Sequence, residues 1–290
     1  MINRTVVVLA FGIVLVGGAA RAGAELNNPR ALAPAAAKTV AAAQQDVPRV
    51  SGTGTIPGLG AFNIALTWDN RTKVAMTTSD FEYTRVSSDT GETEIGIGGR
   101  GEDTLTVRFG GPDGLSVAKG GRTINVTRTA DTAEAVRRLV GGRAVTAFRR
   151  RLGQYERQLA NEAGAWKRHP LDPCAYTFML TAAFIGELAG DPNAMGRSRD
   201  LIERRILSAR GRPQQASFTM RQGGDCWMDY EQALLANDTR NSQCMDSANS
   251  VAWYLRGAER LLCGAEFLSG ALGAESSYVG CMGLAGLKLT

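Results

Sequence analysis

The sequence predicts an α+β protein, with an N-terminal antiparallel β-meander or half-barrel followed by a disulfide-stapled α-helical domain. Three observations predict it. From about Arg49 to Arg128, apolar and polar residues alternate at period two, as strands with one buried face require. After Thr129 the apolar period lengthens to three and four, the spacing of an amphipathic helix. Four of the five cysteines (Cys226, Cys244, Cys263 and Cys281) fall in the last 65 residues, separated by 18, 19 and 18 positions.

Residues 1–24 carry the parts of a secretory signal peptide: Arg4, the apolar run Val6–Val16, and the small-x-small site Ala22-Gly23-Ala24 before Glu25. Ala20-Arg21-Ala22 is a competing site, and the apolar run is short for a membrane span. Cleavage would remove Arg4 and Arg21, leaving 31 cations against 28 acids, a net charge of about +3. So small an excess serves solubility and gives no reason to expect a nucleic-acid partner. Residues 25–48 read as an Ala/Pro-rich linker, with Pro29 and Pro34 before the run Ala35–Gln45 and Pro48 after it.

The β domain spans 49–128. Phe62, Ile64, Leu66 and Trp68 alternate with Asn63, Ala65 and Thr67. The same rhythm returns in Val74/Met76, Phe81/Tyr83, Ile95/Ile97, Leu105/Val107/Phe109, Val117 and Ile124/Val126. Turn residues separate the runs at Asp69-Asn70, Asp89-Thr90-Gly91, Pro112-Asp113-Gly114 and Gly120-Gly121. Seven or eight short strands at this spacing predict a meander whose apolar face must be covered by curling or by a helix.

The helical domain spans 129–290. Val136 and Val140, then Phe148, Leu152, Tyr155 and Leu159, form apolar stripes broken at Gly141-Gly142. Asp172-Pro173 reads as an N-cap with proline at the first helical position, opening an almost wholly apolar helix from Cys174 to Leu188. Further helices are expected at about 193–209, 225–237, 242–263 and 265–284. A helix of 18 or 19 residues is about 28 Å long. If the last three run up, down and up, Cys226 lies level with Cys263 and Cys244 with Cys281. The disulfides expected on that geometry are Cys226–Cys263 and Cys244–Cys281, with Cys174 the odd thiol.

Catalytic candidates are few. Cys174 at a helix start, His169 (the only histidine) and Asp172 could form a nucleophile, base and orienting acid. No thiol-peptidase or nucleophile-elbow motif surrounds them, and a structural thiol is the simpler reading. Asp225, Asp229 and Glu231 lack the spaced oxygen ligands of a cation loop, and one histidine without C-x-x-C gives no zinc site, so no metal or cofactor is expected. The arginines from Arg137 to Arg157 face only Glu134 and Glu156 and could touch a membrane surface, but the solvated outer face of a helix packed against the sheet is the preferred reading. Asn70, Asn125 and Asn237 fit the glycosylation pattern.

No family is recognised in these motifs. The order of elements resembles, as a likeness of fold alone, envelope carriers whose curved sheets hold lipid. The leading expectation is a secreted or periplasmic, non-enzymatic binding or structural protein. Its binding residues would be the sheet-face side chains Phe62, Ile64, Leu66, Trp68, Leu105, Val107 and Phe109. A helix hinged at Gly141-Gly142 would cover that face only in part, leaving a groove for an apolar ligand or a protein partner. The alternatives are a secreted hydrolase using Cys174 and His169, and the precursor of a membrane-active C-terminal peptide cut from the Gly/Ala/Leu-rich end. Oligomeric state is not legible in the sequence.

Overall fold

A computed structural model describes residues 50–56, 60–67, 69–161, 173–200 and 220–284. Eight strands form one sheet in simple sequential order: β1 (Val50–Ile56), β2 (Gly60–Leu66), β3 (Arg71–Thr77), β4 (Glu82–Ser88), β5 (Thr93–Gly99), β6 (Glu102–Phe109), β7 (Leu115–Lys119) and β8 (Arg122–Val126). Every neighbouring pair is antiparallel. The expected meander is present, and the fold is α+β.

Alternation sets which side chains face inward. Across β3, β4 and β5 the register aligns Met76 with Tyr83 and Ile97, then Val74 with Arg85 and Ile95, then Thr72 with Ser87 and Thr93. All of these side chains are buried. One row is therefore apolar and aromatic, the next carries an arginine, and the third is made of hydroxyls. The β4–β5 turn needs its glycine: Gly91 has φ +86°, and a Cβ there would stand 2.6 Å from the Ser269 carbonyl oxygen.

Helix α1 (Ala133–Val140) packs on β7 and β8, and α2 (Arg143–Asn161) on β5. They part at Gly141-Gly142, as the sequence implied, and Gly142 has φ +150°. Glu102 of β6 caps the start of α2, accepting the N–H groups of Arg143 and Ala144. Those N–H groups and the Arg143 guanidinium hold its carboxyl below the usual range. Helix α3 (Pro173–Leu188) packs against α2 and the last helix, and residues 194–200 are helical.

The last two helices depart from the expected three. Helix α4 runs unbroken from Met220 to Ser250, and α5 from Arg256 to Leu284. No glycine or proline interrupts residues 225–250, so nothing divides α4 there. The glycines expected to break the last helix instead let neighbours approach it. A Cβ at Gly264 would crowd the Phe184 ring at 3.2 Å, and one at Gly273 would lie 2.9 Å from the Asp89 carbonyl oxygen. Helix α5 packs against β2, β3, β4, β6 and β8. It is the centrepiece of the core, and sheet and helices share one apolar cluster.

Both expected disulfides are corrected: the bonds are Cys226–Cys281 and Cys244–Cys263, with Cα atoms 5.8 and 5.7 Å apart. In an antiparallel two-helix hairpin, residues equidistant from the turn lie level. Both pairs share one midpoint, between Trp253 and Tyr254, where the chain turns. The up-down-up scheme misplaced that turn, and the wrong pairing followed.

Candidate functional site

The six described sheet-face residues nominated as a binding surface are at most 3% exposed: Phe62, Ile64, Leu66, Leu105, Val107 and Phe109. Trp68 lies outside the described residues. Coverage is the work of several elements at once. Phe148 of α2 stacks on Tyr83 at 5.4 Å and meets Phe81 and Phe178 edge-on, Phe184 of α3 packs on Phe109, and α5 adds Leu268 and Leu272. These side chains build core, and the expected partial coverage is not what the described residues display. The stripe residues Tyr155 and Leu159 lie in α2, with side chains outside the description.

Within that core sits a polar cluster. Arg85, 1% exposed, donates from Nη2 to Glu275 Oε2 of α5 at 2.5 Å and from Nη1 to Thr177 Oγ1 of α3 at 3.1 Å. Ser276 donates to the Ser87 carbonyl at 3.4 Å, and Thr181 to the Thr177 carbonyl at 2.7 Å. One guanidinium thus ties β4 to two helices. Burial raises the Tyr83 hydroxyl pKa, which keeps that group neutral beside the pair. Sequence reading missed this cluster, yet the signal was present: Arg85 and Ser87 continue the inward phase of Phe81 and Tyr83.

The basic run of α1 and α2 separates into two classes. Arg137 and Arg138 pair with Glu134, Arg143 with Glu102, and Arg151 with Asp80. Arg149 and Arg150 make no ion pair among the described residues, and both line a cleft of about 280 Å³ between α2, α3 and residues 191–197. Arg197 also lines it, bound to Asp191 at 2.7 Å, and holds that carboxyl below its ordinary range. Next to this cleft, burial pushes the Glu187 carboxyl up to about 8, against the opposing hydrogen bond it accepts from the Met195 N–H.

Two further features lie on the α4–α5 hairpin. A cleft of about 350 Å³ runs along it beside the Cys226–Cys281 bond, bounded by Asp89, Asp229, Arg240 and the Tyr230–Tyr278 ring pair at 5.4 Å. At the turn, Trp253 is 81% and Tyr254 53% exposed, with their rings edge-on at 5.9 Å. Behind them Arg256 donates to the Val251 carbonyl and Arg260 to Asn249, closing the turn.

Of the catalytic candidates, His169 and Asp172 lie outside the described residues, and Cys174 is placed in α3 without a described side chain. Asp229 is exposed on α4, and no group of acids, histidines and cysteines fit for a metal ion occurs among the described residues. Asn237 is buried and donates to the Phe267 carbonyl at 2.7 Å, which removes it as a glycan site, whereas Asn70 and Asn125 are exposed. No helix among the described residues is long and apolar enough to cross a membrane. No family model matches the sequence, and searches of curated proteins and of solved structures return no match.

Proposed function

We propose that the chain is an exported, non-enzymatic binding protein, acting at or outside the cell envelope, that engages a protein partner through the tip of the α4–α5 hairpin. Two disulfides support an oxidising compartment, secreted or periplasmic, because such bonds persist there. The observation that carries the docking role is the adjacent exposure of Trp253 and Tyr254 at the turn of a hairpin whose two arms are bridged twice. Trp and Tyr are the side chains that most often anchor interfaces, and a cross-linked turn presents them with little entropy left to lose.

Magnitude decides the kind of partner. Burying two such rings is worth roughly 3–6 kcal/mol, which corresponds to millimolar to tens-of-micromolar affinity. A bilayer anchor needs more apolar surface or several cations, and the two arginines described at this turn, Arg256 and Arg260, are both engaged in closing it. A pocket in a partner protein, engaged transiently, fits better. The secreted-hydrolase alternative gains nothing from the described residues. The peptide-precursor alternative conflicts with α5 being both the core's centre and cross-linked to α4 twice.

Photo-crosslinking tests the reading. A benzophenone amino acid replacing Tyr254, in the native host, should give one discrete adduct that a probe at exposed Arg108 does not give. Absence of a discrete adduct, or the same adducts from both positions, would overturn it, as would tip-dependent sedimentation of the purified protein with phosphatidylcholine vesicles.

A further inference from the structure

We infer that the cleft between α2, α3 and residues 191–197 is a binding site for a phosphate monoester or an equally compact dianion. The inference starts from the contrast among the arginines. Four of the six from Arg137 to Arg151 are neutralised by a carboxylate, while the remaining two, Arg149 and Arg150, converge on one concavity. Adjacent like charges repel, and Asp191 and Asp80, which act on Arg149 and Arg150 from a distance while each is ion-paired to another arginine, offset that repulsion only in part. Arg197 adds a third guanidinium and Asp191 a single negative charge, so the lining carries about two net positive charges.

Shape restricts the ligand further. The cleft holds about 280 Å³, enough for a phosphate and a small organic body. Its floor is apolar, formed by Leu152, Ala183 and Ala194. Gly186 keeps α3 low there: a Cβ at that position would come within 3.1 Å of Ala194 and 3.9 Å of the Arg149 guanidinium. Arg guanidinium groups match phosphate oxygens with paired donors, and Asp191 holds Arg197 as a fixed member of the set while Arg149 and Arg150 close on the ligand. The phosphate could belong to a soluble metabolite or to a lipid headgroup, and the chemistry of recognition is shared.

Calorimetric titration of the disulfide-intact protein with phenyl phosphate tests the site. Saturable binding is expected, weakened more than about tenfold in the double variant R149Q/R150Q and unchanged in R108Q, whose arginine pairs with Glu94 on the sheet. D191N, which frees Arg197, should tighten binding by roughly threefold or more. Binding of phenyl phosphate that survives R149Q/R150Q would overturn the site. A second arm uses phosphatidylcholine vesicles with and without phosphatidic acid. Co-sedimentation that needs both phosphatidic acid and Arg149/Arg150 assigns the phosphate to a lipid, and phenyl phosphate binding without it assigns the phosphate to a soluble ligand. If neither probe binds, the proposal fails. Thermal unfolding of R149Q/R150Q separates loss of the site from loss of fold.

Discussion

The sheet and the α4–α5 hairpin are both held rigid, but by different means. Inward rows from β2 to β8 close on α5, α1, α2 and α3, and no covalent bond is needed. Helix α4 packs chiefly along α5 and contributes few buried apolar side chains, Tyr230 and Leu234 among them. There two disulfides supply what apolar area does not. Where an element can bury one whole face, packing locks it, and where only a narrow stripe finds a partner, cross-links take over.

The comparison can be broken most sharply inside the sheet. Glu275→Ala leaves the Arg85 guanidinium buried without its carboxylate and should lower unfolding free energy by about 3–5 kcal/mol in urea titrations. Replacing the pair together, R85M/E275L, should recover most of that loss, because two desolvated charges are exchanged for packed apolar groups. A double variant as unstable as the single one would show that the pair's hydrogen bonds, and not the stranded charge, decide the cost.

Removing cross-links is the matching test on the hairpin. The loop closed by Cys226–Cys281 spans 55 positions and that closed by Cys244–Cys263 spans 19. Loop-closure entropy predicts losses of about 4 and about 3 kcal/mol for the respective double alanine variants. Equal losses would mean that helix packing, not chain entropy, sets the hairpin's stability.

Glu187 of α3 faces α5, its Oε2 standing 3.1 Å from where a Cβ at Gly264 would be, and it makes stability depend on pH. Its folded pKa of about 8 lies above the model-compound 4.5 because burial disfavours the carboxylate. The folded state therefore holds a proton that the unfolded chain has released between those values. Stability from this group is complete below about pH 4.5 and is lost as pH rises towards 8, by at most about 1.4 kcal/mol per unit. Glu187→Gln should flatten that slope in denaturation curves taken from pH 5 to 8. The smallest effect is expected at the tip: Trp253→Ala should change stability by no more than about 0.5 kcal/mol, since the ring is 81% exposed. A larger loss would make Trp253 structural and weaken its role as an anchor.

Much of this contrast was legible in the chain. Period-two runs such as Phe62/Ile64/Leu66 fixed strand phase, and Gly141-Gly142 marked a helix boundary, because both are local properties. The disulfide pairing was not legible, since it depends on where one turn falls and Val251–Leu255 contains no glycine or proline to mark it. Completeness of coverage was hidden for a similar reason: α5's helical pattern says that it buries a face, not which five strands it meets. Arg85 lay half in view. Its inward phase could be read, but its partner Glu275 is 190 positions away.

That separation has a consequence for how the molecule comes into being. A chain made from its N-terminus can pair each strand with the one before it almost at once. Helices α1 and α2 can cover β5, β7 and β8 early, but β2, β3, β4 and β6 wait for residues 256–284, because α5 follows the other described helices and packs across those strands. Until then part of the sheet's apolar face is exposed, the kind of surface that makes folding intermediates adhesive. A chain ended at Ser250 should accordingly bind a hydrophobic dye strongly and melt without a cooperative transition. In this protein the sheet's inner face is completed by the helix that follows it at the greatest distance along the described chain.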